Sequence, residues 1–115
     1  YAVPLAGATE VLAEVHRANN NSGEEVLFPI EVRCTSADNV PLSTAKGRES
    51  CYIAVHRYVR NDPTEYFAAV EQIMRRYDGR PHWGKMHELD ADDLRKVYPR
   101  FDEFLEVKSL LGYDA

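Results

Sequence analysis

Two segments of the chain alternate between apolar and polar residues, and this alternation predicts two β-strands. The first covers residues 27–35 (LFPIEVRCT) and the second covers residues 50–59 (SCYIAVHRYV). One face of the first strand is entirely apolar, with Phe28, Ile30, Val32 and Cys34. We therefore expect that face to join the core and the opposite face to be free to line a cavity. Pro29 places the start of this strand at an edge or a bulge.

The clearest helix signal follows the second strand. Asp62 is a favourable N-cap, Pro63 suits the first helical position, and Glu65 can complete a capping box. Apolar residues recur at helical spacing from Tyr66 to Tyr77, and Gly79 is expected to end the helix in the left-handed conformation. Three further helices are predicted over residues 6–19, 90–98 and 101–112.

This order of elements indicates an α+β fold in which antiparallel strands carry helices on one face and a helical C-terminal tail follows. A chain of 115 residues has room for one domain core. Because an isolated two-stranded sheet is only marginally stable in water, we expect the sheet to be part of a larger one.

Charge and composition exclude several classes of function. A net charge of −5 argues against binding to DNA or RNA. No run of 18 apolar residues indicates a transmembrane segment, so we expect a soluble protein. Cys34 and Cys51 lack metal-ligand spacing, and we predict that both are small core residues; a disulfide between them is the alternative.

The polar face of the first strand is the first candidate site. Glu31 and Arg33 leave the same face of a strand about 6–7 Å apart, so both side chains can hold one small polar molecule. The alternative is a surface ion pair that contributes little to stability. If the two strands pair, His56, Tyr52 and Tyr58 adjoin this face. A partly buried structural histidine is the alternative for His56.

The second candidate is the loop after the long helix, residues 79–87 (GRPHWGKMH), hereafter the tryptophan loop. Trp83 offers a flat apolar surface, Gly84 permits close approach of a ligand, and Lys85 supplies a positive charge. The two histidines of the loop lack nearby partners, so we expect no metal site. A plain loop that happens to hold one tryptophan is the alternative.

Four segments, FPIEVR, GRESCYIAVHRY, GRPHWGK and YPRFDEF, resemble in order and spacing the C-terminal third of the sugar-1,4-lactone oxidoreductases. These are FAD flavoenzymes of the vanillyl-alcohol-oxidase type, such as gulonolactone oxidase or dehydrogenase and arabinonolactone oxidase, and alditol oxidase is a close relative. The resemblance runs from Tyr1 to about Leu111. Its most specific parts are Glu31-x-Arg33 and the His-Trp-Gly-Lys sequence that ends at Lys85.

The resemblance implies oxidation of a lactone hydroxyl by hydride transfer to FAD. Arg33 and Lys85 would hold the substrate hydroxyl and the electron-rich edge of the reduced flavin, and Glu31 would accept a hydrogen bond from a hydroxyl. The implied catalytic residues are Glu31, Arg33 and Lys85. The implied substrate contacts are Glu31, Arg33, His56 and Lys85. The implied FAD contacts are Arg33, His82, Trp83 and Lys85.

The resemblance also implies a division of the chain. Residues 1–86 match the last part of a substrate-binding cap domain, and residues 87–115 match a helical tail that packs on a flavin-binding domain absent from this chain. That domain would bind most of the FAD, so we expect the chain alone to be inactive. The alternatives are a segment of an alditol oxidase, acting on a polyol, and a non-catalytic binding module that has lost its flavin domain. The expected location is the cytoplasm, with peripheral membrane association known in some relatives.

Overall fold

The computed structural model describes residues 1–23 and 28–113, which form a three-stranded antiparallel sheet and four α-helices. The α+β fold predicted from the sequence is confirmed. The elements are β1 (Ala2–Pro4), a 3₁₀ turn (Leu5–Gly7), α1 (Ala8–Asn21), β2 (Glu31–Thr35), β3 (Ser50–Ala54), α2 (Thr64–Arg76), α3 (Ala91–Val97) and α4 (Phe101–Leu110).

The sheet has the order β1-β3-β2, and its first strand was not predicted. β1 is only three residues long, which is too short for alternation to be visible in the sequence. It pairs with β3 so that Val3 lies opposite Cys51. β3 ends at Ala54 and not at Val59 as predicted, and β2 begins at Glu31. The predicted start of β2, residue 27, lies outside the described residues.

Helices α1 and α2 pack together over β1 and β3 and form the main core. Val11 and Val15 of α1 are fully buried, as the helical spacing predicted. The buried members of this core are Val3, Ala8, Val11, Val15, Cys51, Ile53, Tyr66, Val70, Ile73 and Met74. All of the strand residues among them belong to β1 or β3.

The predicted core face of the first strand is only partly confirmed, since Ile30 is partly buried against the main core and Phe28 and Val32 are exposed. Val32 is 44% exposed and Phe28 is 39% exposed, because the two helices cover the other two strands. Cys34 is also exposed, whereas Cys51 is buried, so the prediction of a core cysteine is confirmed only for Cys51. The two residues lie directly opposite each other in the sheet, and both are free thiols.

The start of α2 follows the sequence signal with one correction. The Asp62 carboxylate accepts hydrogen bonds from the backbone nitrogen of Thr64 at 2.9 Å and from its hydroxyl at 2.6 Å. Pro63 occupies the cap position and has no side-chain cap bond, so the capping box predicted with Glu65 does not form. The aspartate still satisfies a free N–H group of the first turn.

The end of α2 needs Gly79 for a reason other than the predicted one. The residue with a left-handed backbone is Asp78, with φ of 53°. A Cβ atom on Gly79 would lie 2.7 Å from the carbonyl oxygen of Met74, which accepts a 2.8 Å hydrogen bond from the Gly79 nitrogen. Gly79 therefore permits close contact with the last turn of the helix.

The C-terminal part of the chain has a small core of its own. The Asp90 side chain caps α3 by accepting a 2.9 Å hydrogen bond from the backbone nitrogen of Asp93, as predicted. The buried residues of this second cluster are Leu89, Leu94, Tyr98 and Phe101. Within residues 1–23 and 28–113, no helix is both long enough and apolar enough to cross a membrane.

Candidate active site

The pairing of β2 with β3 brings the predicted polar residues onto one face. Glu31 lies opposite Ala54, and Arg33 lies opposite Tyr52. Side chains directly opposite each other in an antiparallel pair share a face, so Tyr52 stands next to Arg33. The expectation that the polar residues adjoin is confirmed for Tyr52, whereas His56 and Tyr58 lie beyond the end of β3. Tyr58 is not among the residues that line the cavity described below.

Glu31 is the centre of a small charged group on this face. Its Oε1 atom lies 2.5 Å from Nε of Arg33, and its Oε2 atom lies 3.8 Å from Nε2 of His56. The ion pair of the alternative interpretation is therefore present. It is exposed, with 77% of the Arg33 side chain accessible, so it contributes little to folding and both groups can be reached by a ligand.

A cavity of about 790 Å³ has Glu31, Arg33 and His56 in its wall. Its walls come from β2, β3, α2 and the tryptophan loop, and its volume is within the range of sites for small molecules. The predicted site residues among those that line it are Glu31, Arg33, His56, His82 and Lys85. Three separated segments of the chain thus converge on one space, with Phe67 and Val70 of α2 as an apolar wall.

Lys85 differs from Arg33 in having no carboxylate partner. Among the described residues, no carboxylate oxygen lies within 4.0 Å of its ammonium nitrogen. A lysine ammonium is a compact charge with three hydrogen-bond donors. The cavity wall therefore includes one unpaired cation and one cation paired with Glu31.

The tryptophan loop is held in place by hydrogen bonds to distant parts of the chain. The buried Tyr98 hydroxyl donates to the carbonyl oxygen of Pro81 at 2.6 Å. Burial raises the pKa of Tyr98 to about 12, so the hydroxyl remains a donor at neutral pH. Within the loop, the backbone nitrogen of Lys85 donates to the carbonyl oxygen of His82 at 3.0 Å.

Arg80 links the start of the loop to the rest of the fold. It is 5% exposed, and its Nε atom donates to the carbonyl oxygen of Val97 at 2.6 Å. Its Nη1 atom donates to the carbonyl oxygens of Thr44 and Lys46 at 3.1 and 2.8 Å. Burial lowers the pKa of this guanidinium, which nevertheless remains charged.

Trp83 does not line the cavity with the other predicted residues. Its indole packs on Tyr98 with ring centroids 4.8 Å apart and stacks on Phe101 at 6.2 Å. Its Nε1 atom donates to the carbonyl oxygen of Leu42 at 3.2 Å. In the described structure this side chain fastens the loop to the helical part, and its predicted contact with a flavin stays a prediction.

Sequence reasoning did not predict that Glu71 belongs to the cavity wall. Tyr52, which was expected beside Glu31 and Arg33, lines the cavity, and its hydroxyl lies 2.5 Å from the hydroxyl of Thr44 in the long link between β2 and β3. Glu71 lies among the apolar positions of α2 and is buried. The available signal was a charged residue on an otherwise apolar helical face.

No group of three or more metal-binding side chains occurs in the part of the chain that the structure describes.

Comparison with known proteins identifies the family of the chain. The model of one family, described as D-arabinono-1,4-lactone oxidase, matches residues 1–112. The chain belongs to the D-arabinono-1,4-lactone oxidase family. The resemblance predicted from the four sequence segments is thereby confirmed, and the family is one of oxidoreductases.

The relatives of this chain are much longer than the chain itself. The chain is 46% identical over 114 residues to L-gulono-1,4-lactone dehydrogenase of Mycobacterium tuberculosis, covering 99% of the chain and 27% of that protein. It is 36% identical over 116 residues to L-gulonolactone oxidase of Scyliorhinus torazame, covering 96% of the chain and 26% of that protein. It is 33% identical over 107 residues to alditol oxidase of a Streptomyces species, covering 90% of the chain and 25% of that protein. The chain thus spans about a quarter of the length of these curated relatives.

Proposed function

We propose that the chain is the substrate-facing segment of an FAD-dependent sugar-1,4-lactone oxidoreductase that oxidises a lactone hydroxyl. The observation that carries the proposal is the shared cavity. Glu31, His56 and Lys85 come from three separated segments and line the same space, together with Arg33. The two relatives named above as a gulonolactone dehydrogenase and a gulonolactone oxidase support a lactone as substrate.

The charges of this cavity fit an electron-rich ring and a hydroxylated ligand. When bound, the flavin supplies the acceptor for the hydride that leaves the hydroxyl-bearing carbon. Arg33 and Lys85 would place positive charge where negative charge develops, which is the arrangement that lowers such barriers. Glu31 would accept a hydrogen bond from a substrate hydroxyl, and His56, 3.8 Å from it, would line the same subsite.

The two cores of the chain support the proposed division near residue 86. The sheet with α1 and α2 would belong to the cap domain, and α3 with α4 would form the helical tail. One side of α4 and the turn after it is apolar and exposed, with Phe104, Val107, Leu110 and Leu111. A flavin-binding domain outside this chain, which would bind most of the FAD, is the partner that we propose for this surface.

The proposal is tested by joining the chain to the part of the M. tuberculosis relative that it does not match. We expect this fusion to reduce an artificial electron acceptor when L-gulono-1,4-lactone or D-arabinono-1,4-lactone is added. Arg33→Ala and Lys85→Ala should each lower the rate by about 100-fold or more, since removal of one group that stabilises developing charge typically costs this much.

Matched substitutions outside the cavity control for the loss of charge itself. Arg60→Ala and Lys96→Ala remove the same charges at exposed positions that do not line the cavity, and should leave the rate unchanged. Full activity after both cavity substitutions would contradict the proposal. Faster turnover of an alditol than of either lactone would instead favour a polyol as the substrate, as the name of the alditol oxidase relative suggests.

A further inference from the structure

Glu71 is a buried carboxylate in α2 that the roles proposed above do not explain. It is 8% exposed, and it lines the same cavity as Lys85. Its neighbours on the buried side of the helix are apolar, including Val70 and Met74. Because burying a charged group is costly unless hydrogen bonds compensate it, a glutamate at this position needs specific partners.

Two of its partners come from distant parts of the chain, and a third lies on the same helix. The Tyr1 hydroxyl donates to Oε2 of Glu71 at 2.5 Å. The backbone nitrogen of Glu88 donates to the same carboxylate, 3.0 Å from Oε2 and 3.2 Å from Oε1. Nη2 of Arg75 lies 3.6 Å from Oε1 and 2.9 Å from Oδ2 of Asp93. Burial, and then the bond to Glu71, raises the pKa of the Tyr1 phenol, which therefore remains a donor.

The bond to Glu88 lies where the tryptophan loop ends. Glu88 is the residue after the loop and is three positions from Lys85. At the other end of the loop, the Tyr98 hydroxyl holds the carbonyl oxygen of Pro81. Lys85 thus lies between two points of attachment, and the Glu71 carboxylate is the side-chain acceptor at the second one.

We infer that Glu71 is a positioning residue for Lys85: its carboxylate fixes the end of the tryptophan loop and so places the ammonium at the cavity wall. The catalytic consequence of this inference rests on the proposed function. If Glu71 acts through Lys85, the two residues form one functional unit, and their substitutions are not additive.

A double-mutant cycle in the fusion protein tests this coupling. Glu71→Ala should lower kcat/KM for the lactone by roughly 10- to 100-fold, because a small displacement of a charged group can cost that much. In a protein that already carries Lys85→Met, the same change should cost no more than about 3-fold. An equal loss in both backgrounds would overturn the inference, since it would show that Glu71 acts independently of Lys85.

Two further variants separate positioning from charge. Glu71→Gln keeps an amide oxygen that can accept the hydrogen bond from Glu88, so it should retain most of the activity that Glu71→Ala loses. A loss as large as that of the alanine variant would assign the effect to the charge of Glu71 and overturn the inference. Glu65→Ala removes a carboxylate from the exposed first turn of the same helix and should have no effect.

Amide hydrogen exchange in the 115-residue chain tests the attachment without any enzymatic activity. Glu71→Ala should speed exchange at the Glu88 amide by at least about 10-fold, while the amides of α1 serve as an unchanged reference. Unchanged exchange at Glu88 would overturn the inference even if the fusion is active. Faster exchange together with a fusion that oxidises no lactone would support the attachment and refute the proposed function.

Discussion

Replacement of Lys85 by methionine should remove catalytic charge without affecting folding. The two side chains are similar in length and flexibility, so the substitution removes mainly the ammonium. In the described structure Lys85 is exposed and has no carboxylate within 4.0 Å. We therefore expect the free energy of unfolding of the chain, measured by urea denaturation, to change by less than about 0.5 kcal/mol.

The effect on catalysis should be much larger. At about 6 Å and an effective dielectric constant of about 20, a unit charge stabilises a charge of opposite sign by about 3 kcal/mol. That energy corresponds to roughly 100-fold in rate, measured as lactone-dependent reduction of an electron acceptor by the fusion protein. Lys85→Arg, which keeps the charge, should retain most of the rate. Turnover of Lys85→Met within about 3-fold of the parent protein would refute the electrostatic role.

Two other predictions concern stability and thiol chemistry. Gly79→Ala should lower the free energy of unfolding of the chain by about 1–3 kcal/mol in urea denaturation. The added Cβ atom would overlap the Met74 carbonyl, and this cost outweighs the gain of up to about 1 kcal/mol from a stiffer unfolded chain. A variant more stable than the parent would contradict the close contact. Cys34 should react with iodoacetamide well before Cys51, since burial and a hydrogen bond that the Cys51 thiol donates to Cys34 raise the pKa of the Cys51 thiol. Peptide mass spectrometry at partial labelling measures the order, and preferential labelling of Cys51 would contradict the sheet packing.

Much of the candidate site could be predicted because it depends on short-range patterns. The alternation around Glu31 and Arg33 assigned both side chains to one face, and the strand that carries Tyr52 was recognised in the same way, although it ends before His56. The helix before the tryptophan loop was predicted from its cap and its apolar spacing. Errors arose where local rules do not decide, as when Asp78 and not Gly79 took the left-handed conformation.

The buried features of the site were not predictable from local patterns. Glu71 looks like one charged residue on a helix until Tyr1 and Glu88, 70 and 17 positions away, are seen to share its carboxylate. Trp83 appeared suited to face a planar ligand, and the structure packs it on Tyr98 and Phe101. In both cases the partners are distant in sequence and become neighbours only through the packing of helices and loops.

The sequence alone determined the fold class, the family and the faces of the main strands and helices, since each follows from spacing within a few residues or from ordered motifs. The tertiary structure alone decided which of those faces are covered. It left the apolar side of β2 exposed, made β3 the central strand and brought Lys85 to the cavity of Glu31. The physical reason is that burial and charge proximity depend on contacts between distant segments, whose formation is decided by packing of the whole chain and not by the periodicity of any one segment.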